Sequence, residues 1–295
     1  MAVDTVKKNT KLFACAFLAP AFLFYGLFMI TPMFMSFYYS LTQWDGSTQK
    51  VFVGFSNYLS MLSERDYWIT FSNTIKLVFV SLLVQITLGL IVAYLVYRCK
   101  RGSKLFRTLF FLPVVIAPVA IGLMFSLFYN SEIGIFNKLL AGMGLGFLQR
   151  QWLSDVKLVL YSVMLPQVWQ YIGLYMMIFY AAMQSVPQEI IESAQIDGAG
   201  SFKILTKIIL PSIWGFMGTC VILCITGSLK SFDHPWIMTN GGPGVWSSYL
   251  GVYMYKTAFM NSDFGMGSTI AVSIVVISLI FLLLFNLIFK RKNPL

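Results

Sequence analysis

The sequence is poor in the residues from which active sites are built. A single histidine, His234, and 11 acidic residues in 295 leave no set of nucleophile, base and orienting group to assemble and no carboxylate pair within a hydrophobic run. No glycine-rich loop ends in Gly-Lys-Ser or Gly-Lys-Thr, which excludes a P-loop for nucleotide phosphates. Four cysteines add little. Cys15, Cys220 and Cys224 fall in apolar runs and Cys99 in a basic stretch, so a structural disulfide is not expected. Cys220 and Cys224 share a helix face at i, i+4, but one histidine gives a metal site no support, and they read as small packing residues. The chain is expected to be no enzyme, to bind no metal and to carry no cofactor.

Charge is scarce as well, at 11% of residues against 58% hydrophobic, a balance that places the chain among membrane proteins. A helix needs about 20 mostly apolar residues to cross a bilayer core. Six runs qualify: Leu12 to Tyr39, Leu77 to Tyr97, Leu109 to Tyr129, Leu158 to Met183, Ser212 to Leu229 and Thr269 to Phe289. The expected fold is all-α and polytopic, with a six-helix transmembrane domain over 12–289 between short tails at 1–11 and 290–295.

Basic residues set the orientation. With both termini cytoplasmic, one set of segments holds Lys7, Lys8 and Lys11, then Arg98, Lys100, Arg101, Lys104 and Arg107, then Lys203 and Lys207, then Lys290, Arg291 and Lys292. Only Asp4, Glu189, Glu192 and Asp197 oppose them. The net charge of +10 is therefore topology. No basic stripe with interleaved aromatics lies outside these flanks, so nucleic acid is not an expected partner. The first apolar run is much longer than a signal-peptide core of about 7 to 15 residues and reads as an uncleaved span.

Between the fourth and fifth runs lies a polar, glycine-broken cytoplasmic segment, 185–211. Ser185-Val-Pro-Gln188 has the form of a capping box, with Pro187 tolerated in the first turn. The following helix carries Ile190, Ile191 and Ala194 as an apolar strip until Gly198 and Gly200 break it. Phe202, Leu205, Ile208 and Ile209 then recur at helical spacing up to Pro211. Two readings stand on spacing alone: a helical hairpin that inserts into a groove of a partner protein, or an amphipathic loop on the membrane surface.

Glu192-Ser193-Ala194, Asp197-Gly198-Ala199, Ile208 and Leu210-Pro211 resemble the cytoplasmic EAA motif of permease subunits in binding-protein-dependent ABC importers. Ser193 stands where alanine is usual and Leu205 where phenylalanine is usual. Phe52 through Tyr58, Trp68, Asn73-Thr74, Phe110 through Pro113, Gly134 through Asn137, Phe232-Asp233, Thr239 through Pro243 and Tyr255 through Phe259 resemble landmarks of the carbohydrate-uptake branch, of the maltose, multiple-sugar, raffinose and glycerol-phosphate kind. The resemblance implies a type I importer permease fold in a bacterial plasma (inner) membrane. It implies a second homologous permease, two ATPase subunits that carry the ATP and magnesium, and an extracytoplasmic solute-binding protein. It also implies that Glu192, Ser193, Ala194, Asp197, Gly198, Ala199, Leu205 and Ile208 couple the permease to the ATPase, with Glu192 as polar anchor and Gly198 as the turn.

Sugars are held by aromatic faces and by amide, hydroxyl or carboxyl groups, and polar side chains within spans face a bundle interior or cavity. Candidate passage residues are Gln167, Gln170, Tyr171 and Tyr175 in the fourth run, with Ser228, Lys230, Asp233 and Trp236 at the end of the fifth. Against this, Trp169 and Tyr171 fit packing or belt roles, the glutamines fit helix-to-helix bonding, and Gln85 in the second run fits the same plain role. Lys230 and Asp233, at i, i+3, are placed to pair. The loop Thr239 to Pro243 reads as a tight outward turn. The implied cargo is an oligosaccharide. The alternatives are a phosphate ester, which calls for more cations along the passage, and a secondary transporter, which calls for charged relays or inverted repeats within the spans.

Overall fold

The computed structural model describes residues 17–47, 49–99 and 101–290, without the side chains of Ile288 and Lys290. The stretch 1–11, the start of the first run at Leu12, and Cys15, Lys100, Arg291 and Lys292 lie outside the described residues. The chain divides into two compact units, one of Met1–Ser63 with Met254–Ser273, the other of Glu64–Tyr253 with Ile274–Leu295.

In the first unit, helix α1 (Phe17–Ser40) leads into a two-residue ladder, β1 (Thr42–Gln43) against β2 (Val51–Phe52), and then α2 (Ser56–Ser63). Asn57 ties these together by donating from Nδ2 to the carbonyls of Ser40 at 3.0 Å and Thr42 at 2.9 Å. Tyr58 adds a hydroxyl bond to Ser40 Oγ at 2.8 Å. Thus the Phe52–Tyr58 landmark is a clasp on the end of α1.

The second unit is built on two long helices, α3 (Arg65–Arg98) and, further along the chain, Val159–Gln184. Between them run α4 (Ser103–Val115), α5 (Pro118–Phe128) and α6 (Ile135–Gly142), which makes Val159–Gln184 α7. Leu77 clusters with Leu160 and Met164, while Ala93 and Tyr94 cluster with Phe179 and Met183. The two helices therefore run side by side in the same direction. At Gly173 an added Cβ would run into the backbone of Phe110, so α4 packs on α7 at backbone contact. Beyond α7 come α8 (Gln188–Ile196), a helix over 201–212 here called α9, α10 (Trp214–Leu229), α11 (Asp233–Thr239), α12 (Leu250–Tyr255) and α13 (Phe264–Lys290), of which 274–290 belong to this unit.

Helices stand at all six expected places, with two differences. The third run is not one rod: α4 and α5 meet at 91°. Ile116 and Ala117 are extended, at ψ 135° and 134°, because Pro118 disfavours helical backbone at the residue before it. Among the described residues, four helices are long and apolar enough to cross a membrane, or five with the bent pair taken as one. The fourth expected run, α7, has 26 residues, about 39 Å at 1.5 Å per residue, yet is too polar to be counted among them. Most of its residues are buried, and Gln167, Gln170, Tyr175 and Tyr180 face protein, where such groups are tolerated.

Candidate functional site

The segment 185–211 is a helical hairpin, α8 then α9, joined through Asp197–Gly200. Gly198 sits at φ +75° with nothing within 4 Å of an added Cβ, so the turn needs glycine for backbone reasons alone. The expected capping box is absent. Ser185 turns its hydroxyl back to the Ala182 carbonyl at 2.7 Å, completing the end of α7, and Pro187 occupies the N-cap of α8 without a side-chain cap.

The hairpin is clamped to the ends of α3 and α7. Ile191, Ile204 and Ile209 are buried with Tyr94, Val96, Met183 and Val186, and Ala194, Ala199, Leu205 and Ile208 pack at the edge of that cluster. Tyr94 donates its hydroxyl to the Ser201 carbonyl at 2.7 Å, and Arg98 donates to Ser201 Oγ. Tyr97 reaches Gln188 Oε1 at 3.5 Å. These three α3 residues were not among the sequence candidates. Only their spacing at the basic end of the second run marks them.

Two expectations about faces are corrected. Ile190 is exposed, and Phe202 is 79% exposed rather than turned inward; Ile204, at 5%, takes the inner position. Phe202 lies in the first turn of α9, beside the open glycine turn, whereas the residues that meet the scaffold, 204, 205, 208 and 209, follow it. Together with Ile196, 88% exposed, Phe202 makes an apolar tip on either side of the glycine turn. Glu192, Ser193 and Asp197 are exposed beside it.

The second candidate site is a cavity of about 260 Å³ lined by α3, α7, α10 and the chain into α11. Of the eight passage candidates, Gln167, Tyr171, Tyr175, Ser228, Lys230 and Asp233 line it. Gln167, Tyr171 and Tyr175 fall at i, i+4 and i+8 on one helix face. Gln167 is buried with Oε1 unpaired, an open acceptor in the wall. Gln85 joins it, donating from Nε2 to the Gln167 carbonyl at 3.5 Å while its Oε1 faces Cys224 Sγ at 3.6 Å. Lys230 and Asp233 are both exposed, and no ion pair joins them among the described residues, where a local pair was expected.

Two candidates are not in the cavity wall. Gln170 is fully buried and donates from Nε2 to the Ile116 carbonyl at 2.9 Å, satisfying a backbone acceptor that the α4–α5 break leaves without a helical partner. Trp236 stacks on Phe232 at 5.5 Å. Conversely, buried His234, with Nε2 unpaired, lines the cavity and was not a candidate; its placement depends on the turn into α11.

The loop after α11 is held closely. Asn240 and Gly241 adopt left-handed backbone, and Ser247 Oγ bonds Thr239 Oγ1 and the Gly242 carbonyl, each at 2.7 Å. Asn73 Nδ2 donates to the Trp246 carbonyl at 2.9 Å, and Thr74 Oγ1 accepts from the Leu250 N–H at 2.9 Å. The Asn73-Thr74 landmark is thus the fastening of this loop. Asn137 plays a similar part, donating to the Arg150 carbonyl and accepting from Trp152.

Comparison with known proteins agrees with this arrangement. The probable ABC transporter permease protein YurN of Bacillus subtilis is 35% identical, over 92% of this chain and 94% of its own length. The multiple sugar-binding transport system permease protein MsmF of Streptococcus mutans is 27% identical over 92% and 94%. A crystal structure of a bacterial ABC transporter involved in importing the acidic polysaccharide alginate contains a chain with this fold, at a TM-score of 0.86, 19% identity and 99% coverage of both chains. Residues 85–294, which hold both candidate sites, match the family model described as the binding-protein-dependent transport system inner membrane component, and the chain belongs to that family of ABC importer permeases.

Proposed function

We propose that this permease forms half of the passage of an ATP-driven sugar importer, with a short neutral oligosaccharide as cargo. The observation that carries the coupling half of this reading is the clamped hairpin with its exposed tip. A rigid element with Ile196 and Phe202 turned outward and Glu192, Ser193 and Asp197 beside them suits a groove on an ATPase subunit, which would hold the ATP and magnesium. Gly198 makes the turn, and Ala194, Ala199, Leu205 and Ile208 seat the hairpin on its scaffold. Because Tyr94 and Arg98 of α3 bond Ser201, a push on the tip passes into α3 and α7 together, and both helices carry the cavity wall.

The cargo follows from the wall. Tyr171, Tyr175, Gln85, Gln167 and Ser228 offer aromatic faces and neutral hydrogen-bonding groups, as sugars require. Lys230 and Asp233 bring one charge of each sign, which leaves no excess of cations for a phosphate ester. Relatives named for multiple sugars, trehalose and maltose, and diacetylchitobiose support the same class. The cavity is small for an oligosaccharide, consistent with a second, homologous permease supplying the other wall and an extracytoplasmic binding protein delivering the cargo. Six crossings with both termini cytoplasmic, in a bacterial inner membrane, put the basic ends of α3 and α9 beside the ATPase.

Purification of the tagged chain from its native host in mild detergent, followed by mass spectrometry, tests this reading. A second permease and an ATPase are expected to accompany it, and Phe202→Ser or Ile196→Ser is expected to weaken ATPase recovery without changing the behaviour of the permease on size exclusion. A chain recovered alone, or only with itself, would overturn the proposal in favour of a secondary transporter.

A further inference from the structure

A second cleft, of about 350 Å³, lies at the opposite end of α3 and α7 from the hairpin. Arg65, Trp68, Ser72 and Lys76 fall at i, i+3, i+7 and i+11, one face of α3. Lys157, just before α7, and Tyr161 in its first turn line the cleft with them, and Trp246 closes the side. The cleft contains three cations and no carboxylate. Of the nearby acids, Glu64 accepts the Tyr253 hydroxyl, Asp155 accepts the backbone N–H of Lys157 at 2.8 Å, and Asp66 does not line the cleft. None of Arg65, Lys76 and Lys157 is in an ion pair among the described residues.

The level of these cations is informative. Leu77 packs with Leu160, so Lys76 and Lys157 stand side by side where the two apolar runs begin. Trp68, Tyr161 and Trp246 are exposed at that level, the position of an interfacial aromatic belt. Trp246 is held there by the Asn73 bond, and Trp68 by edge-on contacts with Tyr67 and Phe71, each at 5.6 Å. Towards the hairpin the same faces continue as exposed Phe79 and Leu83 on α3 and Leu165 on α7, an apolar track running from the cations into the hydrocarbon layer.

We infer that this cleft binds an anionic phospholipid, with Lys76 and Lys157 on its phosphate, Arg65 at the outer rim and the acyl chains along Phe79, Leu83 and Leu165. A lysine at the hydrocarbon edge is unfavourable unless solvated or paired, and a lipid phosphate pairs two of them at once. A soluble anion would use the cations and leave the track bare; the track argues for the lipid.

The test is native mass spectrometry of the full chain with its accompanying subunits, titrated with phosphatidylglycerol or with phosphatidylcholine of the same acyl chains. Phosphatidylglycerol is expected to be retained more strongly. Each of Lys76→Gln and Lys157→Gln should lower its retention about five-fold, and the double variant about thirty-fold. The Lys76→Arg/Lys157→Arg pair should restore retention, separating loss of the site from loss of fold. Equal retention of the two lipids, or undiminished phosphatidylglycerol retention in the double glutamine variant, would overturn the proposal. Displacement by inorganic phosphate would assign the site to a soluble anion instead. A photo-crosslinker at position 161 that captured a polypeptide rather than lipid in native membranes would make the cleft a subunit interface.

Discussion

Helices α1 and α7 are both long enough to cross a bilayer, and they are opposite in kind. In α1 none of the most apolar window is buried by the rest of the chain; its phenylalanines and leucines face outward all round. In α7 most residues are buried, including Gln167, Gln170 and Tyr175. Without a hydrophobic effect between helices in lipid, association depends on close packing and hydrogen bonds. Apolar content therefore reports what faces lipid, while small and polar residues report what faces protein. The less apolar helix is the more buried one.

The sharpest way to break this contrast is to add bulk at one glycine of each helix. Gly173→Leu forces a side chain into the Phe110 carbonyl and is expected to destabilise the second unit by about 3 kcal/mol, read as loss of the monodisperse peak on size exclusion and a lowered Tm. Gly26→Leu in α1, with nothing within 4 Å of its Cβ, should leave Tm within the shift of about 0.5 kcal/mol typical of exposed sites. Equal effects would end the distinction.

Two amides within α7 sharpen it. Gln170→Leu leaves the part-buried Ile116 carbonyl without its donor and should cost about 1–3 kcal/mol, visible as a lowered Tm. Gln167→Leu removes an acceptor that has no protein partner. It should leave Tm nearly unchanged while lowering sugar uptake by the reconstituted importer. The reverse pattern would show that the cavity face has been assigned to the wrong glutamine.

A smaller effect is expected outside the packed helices. Gly198→Val must adopt left-handed backbone at a penalty of about 1–2 kcal/mol in an otherwise open turn. The permease should still fold and show reduced stimulation of ATPase activity in the assembled complex. Gly198→Asn, which tolerates that backbone, should retain most of it. Normal stimulation in the valine variant would separate the turn from coupling.

Much of this was legible in the residues. The six helical places follow from apolar runs, and the hairpin follows from Gly198 and Gly200 between two amphipathic stretches. The bend after α4 was also written there, because Pro118 marks the residue before it as extended, whereas Pro113, the more conspicuous proline of the run, stays inside α4. The capping box was misleading: Ser185 had two backbone partners within reach, and the end of α7 won. Spacing grouped Phe202 with Leu205, Ile208 and Ile209, and Ile204, two residues on, is the one that turns inward.

By itself the sequence determined that this chain lives in a membrane, which loops carry the positive charge, and where a glycine turn interrupts the helices. Those properties are sums over a window or local backbone preferences, and neither depends on what lies across the fold. Only the tertiary structure decided that Gln167 lines a cavity while Gln170, three residues on, closes the break between α4 and α5. A polar side chain on a buried helix takes its role from the neighbour it meets, and that neighbour, the Ile116 carbonyl, is 54 residues away in the chain.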